Sequence, residues 1–205
     1  MRFILIVEGD TEKRSIEGLI RKHLAEKTGQ NIGVTAININ GYGNFFRDLP
    51  QKVKKYLAGP DKEEILAIVG LMDLYKTPYA HDVNRSIRVR ILQGTQLFED
   101  TVKQDRFRMF FAVHEYEAWL LSDADKFDSA IRNRIASHAR NPEEVNTDEP
   151  PSKYLKRIYS EYLHREYKKT VDGKVLIGRV DPQKVYEKCP NYRAMIDFFV
   201  SFVEN

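Results

Sequence analysis

Acidic residues directly follow three short apolar runs of the sequence. They are Glu8 after residues 3–7, Asp73 after residues 65–72, and Glu115, preceded by His114, after residues 107–113. Such runs are typical of strands buried on both faces, and the carboxyl ends of parallel strands line one crevice. Carboxylates that meet there repel one another unless they share a proton or hold a cation. Oxygen ligands favour Mg²⁺ or Mn²⁺ over zinc, although each acid alone could also be an ordinary polar strand end.

The segment from Val7 to Glu12 adds a second chemical signal. Gly9 permits a tight turn into a helix whose first turn has Glu12, four residues after Glu8. The free N–H groups of a helix N-terminus attract phosphate, which makes Gly9 and Thr11 candidate substrate-binding residues. Glu12 is a secondary candidate acid, but it is also good capping chemistry. The segment is not a P-loop, because Gly-x-x-x-x-Gly-Lys is absent from the sequence.

Strand and helix patterns alternate over the first 125 residues. The spacing of Ile16, Leu19, Ile20 and Leu24 predicts an amphipathic helix capped by Asp10 or Thr11 and ended by Gly29. Further strands are predicted at 34–39, 65–72 and 107–113, and further helices at 52–57, 85–102 and 118–121, with Pro50 limiting the first of these. This alternation predicts an α/β fold with a mostly parallel central sheet flanked by helices.

The pattern changes after residue 125, so we predict a core at 1–125 and a helical, basic C-terminal elaboration at 126–205, packed on the core as one domain. A helix predicted at 153–167 interleaves lysines and arginines with tyrosines. Basic groups neutralise phosphates and tyrosines stack on bases, so the segment could bind nucleic acid, with Lys153 as a phosphate contact. A solvated, charged helical face with tyrosines at its buried edge has the same pattern.

Composition excludes several classes of protein. The chain has 205 residues, a net charge of +3 and one cysteine, Cys189, which excludes an internal disulfide and a four-cysteine zinc site. No apolar stretch reaches about 18 residues, so we expect no membrane span. The first apolar run is too short for a signal peptide, and we therefore expect a cytoplasmic protein.

Several motifs, in order along nearly the whole chain, resemble the Toprim-like bacterial family catalogued as domain of unknown function 4276. That family is related to the Toprim domains of overcoming-lysogenization-defect (OLD) nucleases. The most specific motif is His114-Glu115-Tyr116-Glu117-Ala118-Trp119-Leu120-Leu121. The others are residues 6–12, Met72-Asp73-Leu74-Tyr75 with Pro78, and the segments 141–146, 150–153, 167–169 and 189–192.

The resemblance implies a Toprim-type metal site. Glu8 would be the conserved glutamate, acting as general acid/base or metal ligand, and Asp73 would be the first acid of Asp-x-Asp. Tyr75 stands where the second aspartate is expected. Glu115 and Glu117 are candidates to replace it, and their spacing of two lets them share a face only if the backbone is extended. His114 could shuttle a proton or be a structural histidine.

The expected function is therefore Mg²⁺- or Mn²⁺-dependent cleavage of nucleic acid phosphodiesters, as DNA or RNA. The resemblance further implies an ATPase partner and a role in phage defence. One alternative is a non-catalytic binding or regulatory subunit of an ATPase complex, which Tyr75 favours. Another is a small-molecule phosphotransferase or phosphatase that uses the same acids.

Overall fold

The computed structural model describes residues 1–78, 84–144 and 149–204, and for residues 10–12, 14 and 76 it describes the backbone alone. The end of the predicted 141–146 motif therefore lies outside the described residues. Among the described residues, no helix combines the length and the apolar character needed to cross a bilayer.

A four-stranded parallel sheet forms the centre of the protein. Its strands are β1 (Arg2–Val7), β2 (Gly33–Asn38), β3 (Ile65–Asp73) and β4 (Phe107–Ala112). They lie in the order β2-β1-β3-β4, and each neighbouring pair is parallel. The chain passes from β1 to β2 on one side and then to β3 on the other, so the topology switches direction between β1 and β3. Ligand crevices of open α/β sheets form at such switch points.

Helices cover both faces of this sheet, as predicted for the α/β class. Those of the first half are α1 (Asp10–Thr28), α2 (Tyr42–Ala58), α3 (Ile87–Val102) and α4 (Glu117–Leu121). Those of the second half are α5 (Ser129–His138), α6 (Pro151–Leu163), α7 (Lys174–Ile177), α8 (Pro182–Lys188) and α9 (Pro190–Ser201). A π-helical turn, Lys169–Gly173, lies between α6 and α7.

Strand β1 is buried on both faces, which explains its uninterrupted apolar sequence. Phe3, Leu5 and Val7 join one hydrophobic cluster, and Ile4 and Ile6 join the other. The first cluster also contains side chains of α1 and of α5 to α9, so residues of both chain halves share one core. A domain boundary at residue 125 stays a prediction.

Helix α2 is longer than the sequence predicts. It begins at Tyr42 and contains Pro50, which was expected to limit the helix at its N-terminal side. Proline in a helix interior removes one backbone hydrogen bond. Here Phe45, Leu49 and Val53 are spaced four residues apart and fully buried, and the burial of this stripe outweighs the lost bond.

Helix α1 buries the four residues that its spacing predicts and ends at Gly29, as expected. Gly29 has φ of 67° and donates its N–H to the Ala25 carbonyl, which is the usual geometry of a glycine C-cap. The N-terminus differs from the prediction, because the N-cap residue is Gly9, which has no side chain.

We expect Gly29→Ala to lower the free energy of unfolding by about 1–2 kcal/mol, since a Cβ is disfavoured in the left-handed conformation. Gly18→Ala is the matched control on the same helix, with no atom within 4 Å of the added Cβ. It should raise stability by about 0.4–1 kcal/mol. Urea unfolding of both variants measures the effects, and equal changes in the two would contradict the assigned cap.

Candidate functional site

The candidate site lies at the carboxyl edge of the sheet, beside the switch point. Glu8 directly follows β1, and Asp73 is the last residue of the neighbouring strand β3. The Glu8 carbonyl accepts a hydrogen bond from Gly41 N at 3.0 Å, which ties the end of β1 to the start of α2. The topology thus brings Glu8 and Asp73 to one edge, as predicted from the two apolar runs.

Asp73 is buried and connects β3 to the segment after β4. Its Oδ1 accepts a hydrogen bond from Tyr116 N at 3.2 Å, and Asp73 pairs in register with Ala112 of β4. Tyr75 N in turn donates to the His114 carbonyl at 2.9 Å. These bonds hold the ends of β3 and β4 together, so that the motif at 114–117 lies against Asp73.

Lys169 supplies a cation between two of the predicted acids. Its Nζ lies 3.6 Å from Asp73 Oδ2 and 3.2 Å from Glu117 Oε2. The same ammonium group lies over the Tyr116 ring, 4.3 Å from the centroid. Sequence analysis missed Lys169 as a site residue, although it belongs to the 167–169 motif. No spacing rule relates this lysine to acids so far away in the chain.

Glu117 is the most deeply buried acid of the site, with 0% of its surface exposed. Burial raises its pKa to about 8, Lys169 opposes this shift, and the nearby Glu115 and Asp73 add to it. Its carboxylate charge is therefore costly unless a cation lies beside it. Glu117 opens α4, and that short helix directs its side chain towards Lys169.

Glu115 has a different partner. Its Oε2 accepts a hydrogen bond from Ser152 N at 2.9 Å, in the first turn of α6. A carboxylate at a helix N-terminus satisfies a free N–H and interacts favourably with the helix dipole. Glu115 and Glu117 therefore diverge, with the first anchoring α6 and the second facing Lys169. The side chain of Lys153, the next residue of α6, is exposed.

His114 has a left-handed backbone, with φ of 63°, and is buried. Burial, and then the charge of Arg90, lower its pKa, whereas a hydrogen bond with the Glu143 backbone raises it. The imidazole is therefore neutral at neutral pH. These partners belong to α3 and the turn at 142–144, and the roles of His114 as a proton shuttle or a structural histidine both stay predictions.

The structure agrees with only part of what the sequence predicts for the start of α1. Gly9 has φ of −139° and ψ of 168°, an extended conformation that any residue adopts, so no tight turn requires glycine. Thr11 and Glu12 are in the first turn of the helix, but their side chains lie outside the described residues. Their roles as substrate-binding residue and secondary acid stay predictions.

The tyrosines of the basic C-terminal segment pack inside the protein. Tyr154, Tyr159 and Tyr167 are buried and cannot stack on bases. Arg157 pairs with Glu149 through two hydrogen bonds, of 2.7 and 3.1 Å. Tyr162 is half-buried and Lys153 is exposed, so nucleic acid binding by this segment stays a prediction.

The described residues provide no group of three or more His, Cys, Asp or Glu side chains arranged to hold a metal ion. Asp73 and Glu117 nevertheless converge on one position, at which Lys169 Nζ supplies positive charge. Mg²⁺ is usually bound by one or two carboxylates, with waters and substrate phosphates completing its shell. Asp73 and Glu117 are therefore candidate ligands for one hard cation, and metal binding stays a prediction.

The turn that presents Lys169 is fixed by polar and aromatic contacts. Asp172 accepts a hydrogen bond from Lys168 N at 2.8 Å. Its other carboxylate oxygen forms an ion pair with Arg165, also at 2.8 Å. Gly173 closes the turn against two phenols, and an added Cβ would lie 2.6 Å from Tyr167 Oη and 2.9 Å from Tyr116 Oη. The Tyr116 ring is the one under the Lys169 ammonium.

We expect Gly173→Ala to crowd both phenols and lower the free energy of unfolding by about 1–3 kcal/mol, as overpacking of a buried site does. Gly178→Ala is the control, because its added Cβ meets backbone oxygens at an ordinary 3.6 Å. This variant should be neutral or slightly more stable. Urea unfolding measures both, and a Gly173→Ala protein as stable as the control would contradict the tight packing behind Lys169.

Glu143, whose backbone is the hydrogen-bond partner of His114, is another buried carboxyl group. Its Oε2 accepts hydrogen bonds from the backbone N and the side-chain Nδ2 of Asn191, both at 3.2 Å. Burial raises its pKa to about 7, and these bonds oppose the shift. Because the unfolded group titrates near 4.5, the folded state binds the extra proton between these two pH values.

The contribution of Glu143 to the free energy of unfolding should therefore fall as pH rises from 4.5 to about 7, by at most about 1.4 kcal/mol per pH unit. Glu143→Gln should remove this contribution and so make the measured slope of stability against pH more positive than in wild type. Urea unfolding at several pH values inside the window tests the expectation. The exposed Glu144 provides the control, since Glu144→Gln should keep the wild-type slope. An unchanged slope in Glu143→Gln would contradict the raised pKa.

The family model described as Domain of unknown function (DUF4276) matches residues 7–199 of the chain. Among solved structures, the C-terminal region of the Burkholderia pseudomallei OLD protein is 18% identical, with a TM-score of 0.47, and the match covers 95% of this chain and 98% of that chain. The C-terminal region of the Xanthomonas campestris pv. campestris OLD protein, phased with platinum, is 15% identical, with a TM-score of 0.38 and coverages of 98% and 96%. No curated protein sequence matches the chain.

Proposed function

The chain belongs to the family described as Domain of unknown function (DUF4276), and on this premise we propose that it is a Toprim-like nuclease-type domain. It would cleave phosphodiester bonds of DNA or RNA with Mg²⁺ or Mn²⁺. The observation behind the proposal is the convergence of Asp73 and Glu117 on one cation position at the switch point of the sheet. This is where α/β sheets bind their ligands.

Asp73 and Glu117 would hold the divalent cation. When bound, this cation polarises a phosphoryl oxygen and lowers the pKa of an attacking water. Asp73 is pre-oriented by Tyr116 N, and Glu117 is held in a site that lacks water around its carboxylate. Both carboxylates are therefore placed before substrate arrives, which limits the reorganisation needed during reaction.

Lys169 would contribute a second positive charge to the site. Its ammonium group forms ion pairs with Asp73 and Glu117 and offsets part of their negative charge. A lysine beside a metal-bound phosphate would stabilise the negative charge that develops in the transition state. It would not replace the carboxylate ligand that is missing at Tyr75.

Glu8 would handle the proton in this proposal. It follows β1 at the same edge as Asp73, whereas His114 has its partners at Arg90 and Glu143. The N-terminus of α1, which begins directly after Gly9, would attract phosphate through its N–H groups. Glu115 would support the site indirectly by anchoring α6. Lys153 would contact substrate phosphate, and nucleic acid is the proposed partner.

We retain an ATPase partner in the proposal because the motif resemblance implies one. Copurification of the chain with neighbouring gene products is the direct test, and recovery of an ATPase would support this part. A chain that cleaves nucleic acid fully on its own would show that no partner is needed.

The second candidate is a non-catalytic binding or regulatory subunit. Two observations favour it: Tyr75 replaces an acid, and Lys169 already supplies a cation to the remaining carboxylates. Such a protein would keep the fold and lose metal-dependent cleavage. Activity on a generic aryl phosphate, with polynucleotides untouched, would instead indicate a small-molecule phosphatase.

For the nuclease proposal, we expect Asp73→Asn to lower the cleavage rate at least about a hundredfold, because the variant loses a carboxylate ligand of the cation that stabilises the reacting phosphate. Asparagine keeps the oxygen that accepts from Tyr116 N, so the fold should survive. Cleavage of single- and double-stranded DNA and of RNA is measured with Mg²⁺, with Mn²⁺ and with EDTA. Calorimetric titration of Mn²⁺ reports binding separately.

Three further variants, two of them controls, make the experiment more specific. Lys169→Met should reduce cleavage strongly, and Lys168→Met, which changes an exposed neighbour, should not. Asp100→Asn changes an exposed carboxylate on α3 and controls for net charge. Undiminished cleavage by Asp73→Asn, or equal losses in the two lysine variants, would overturn the proposed site. Absence of cleavage by wild type on every polynucleotide, alone and with any copurified ATPase, would favour the non-catalytic subunit.

A further inference from the structure

A cavity in the C-terminal half of the protein takes no part in the proposed cleavage. Its volume is about 320 Å³, and its wall comes from four segments of the chain: residues 126–128, helix α6, the loop and turn at 165–172, and residues 175–179. A volume at the lower end of the range for ligand pockets suits a compact ligand. The apolar side chains of the wall are Phe127, Val175 and Leu176.

Tyr159 presents a phenol hydroxyl to this cavity. The residue is only 4% exposed, and its ring packs against the Tyr167 ring with 5.2 Å between centroids. Its Oη forms no hydrogen bond with the described residues, and unlike the Tyr167 hydroxyl it is not sealed from solvent. Burial raises the pKa of Tyr159 to about 12, so the hydroxyl keeps its proton at neutral pH. A buried phenol usually has a hydrogen-bond partner, and here the cavity is where an acceptor can lie.

Three cationic side chains line the same cavity, namely Lys126, Arg165 and Arg179. Arg179 is exposed and has no ion pair within the part of the chain that the structure describes. Arg165 pairs with Asp172 through Nη1, so Nε and Nη2 keep their N–H donors. Lys126 Nζ lies 4.0 Å from Asp123 Oδ2, beyond hydrogen-bond distance. The three cations therefore offer unused donors to the cavity.

Two acids, Asp128 and Asp172, also line the cavity, but most of their oxygens are occupied. Asp172 Oδ1 pairs with Arg165, and Oδ2 accepts a hydrogen bond from Lys168 N. Asp128 Oδ1 accepts from Ala130 N at 2.9 Å as the cap of α5, which leaves one oxygen of an exposed carboxylate. The unused hydrogen-bonding groups of the wall are therefore mainly donors, and most of them carry positive charge.

We propose that this cavity binds a phosphate group, with Arg179, Arg165 and Lys126 supplying positive charge and Tyr159 Oη donating a hydrogen bond. Arginine suits phosphate because its guanidinium offers paired N–H donors. A tetrahedral phosphate accepts from several directions, whereas a carboxylate has two oxygens in one plane. Donors that come from separate segments of the chain therefore favour phosphate. The group belongs either to inorganic phosphate or to a mononucleotide, and the test separates these two sources.

The cavity shares one structural element with the acidic edge, the turn at 169–173. Asp172 of this turn is part of the cavity wall, whereas Lys169 of the same turn pairs with Asp73 and Glu117. A bound phosphate would contact Arg165, which supports the turn through Asp172. The proposal does not rest on the nuclease function, because it concerns phosphate binding at a different place and no cleavage is measured.

The test is calorimetric titration of inorganic phosphate, AMP, adenosine and acetate into the full chain, at neutral pH and constant ionic strength. Wild type should bind phosphate and AMP, and it should bind neither adenosine, which lacks the phosphate, nor acetate, which has a planar carboxylate. Equal affinities for phosphate and AMP would assign the cavity to inorganic phosphate. Tighter binding of AMP would assign it to a mononucleotide.

Two substitutions in the wall remove donors. Arg179→Met should weaken phosphate binding at least about tenfold, the scale of a hydrogen bond to a charged group. Arg21→Met is its control, because it removes an exposed arginine of α1 and should leave binding unchanged. Tyr159→Phe keeps the ring contacts with Tyr167 and Arg165, so the fold should survive, and loss of the hydroxyl should weaken binding at least about threefold.

Asp128→Asn should change the affinity in the opposite direction. Asparagine keeps an oxygen for Ala130 N and still caps α5, while the wall loses its remaining unpaired negative charge. Phosphate should therefore bind more tightly to this variant than to wild type. Asp100→Asn changes an exposed carboxylate outside the cavity and should leave the affinity unchanged.

Several outcomes would overturn the proposal. They are absence of phosphate and AMP binding to wild type, acetate binding as tightly as phosphate, or weaker phosphate binding by Asp128→Asn. Equal affinities of Arg179→Met and Arg21→Met would likewise place the anion elsewhere on the protein. Arg179 and Asp128 are exposed, so both variants should fold and the comparison should remain decisive.

Discussion

The ion pairs that Lys169 forms with Asp73 and Glu117 are the interactions on which the rest of the site depends. Two carboxylates buried at one edge of a sheet repel each other, and removing one partner of a buried pair typically costs about 3–5 kcal/mol. Lys169 offsets this repulsion from a position distant in sequence. The acidic site therefore exists as observed only when the C-terminal half is packed against the sheet.

The C-terminal half consequently supports the site in addition to filling the core. Ser152 N binds Glu115 and so places α6, while the turn that ends at Gly173 places Lys169 against the Tyr116 ring. Both contacts join the second half of the chain to the segment directly after β4. The same segment binds Asp73 through Tyr116 N. Residues 115–117 thus connect the two halves of the protein at the point where its chemistry is expected.

The left-handed backbone at His114 separates two environments. On one side, Glu115 and Glu117 face the helix α6 and Lys169, and on the other side His114 lies with Arg90 and Glu143. This residue is where the chain turns from the strand β4 into the acidic motif.

The sequence by itself determined the parallel α/β class, the burial of β1, the Gly29 cap and the meeting of Glu8 and Asp73 at one edge. These features depend on local periodicity and on strand ends, both of which can be read along the chain. Only the tertiary structure decided that Glu117 faces Lys169 while Glu115 caps α6, that His114 turns towards Glu143, and that α2 continues through Pro50. Those outcomes depend on contacts between distant segments and on burial that outweighs local preference, and no spacing in the sequence encodes either.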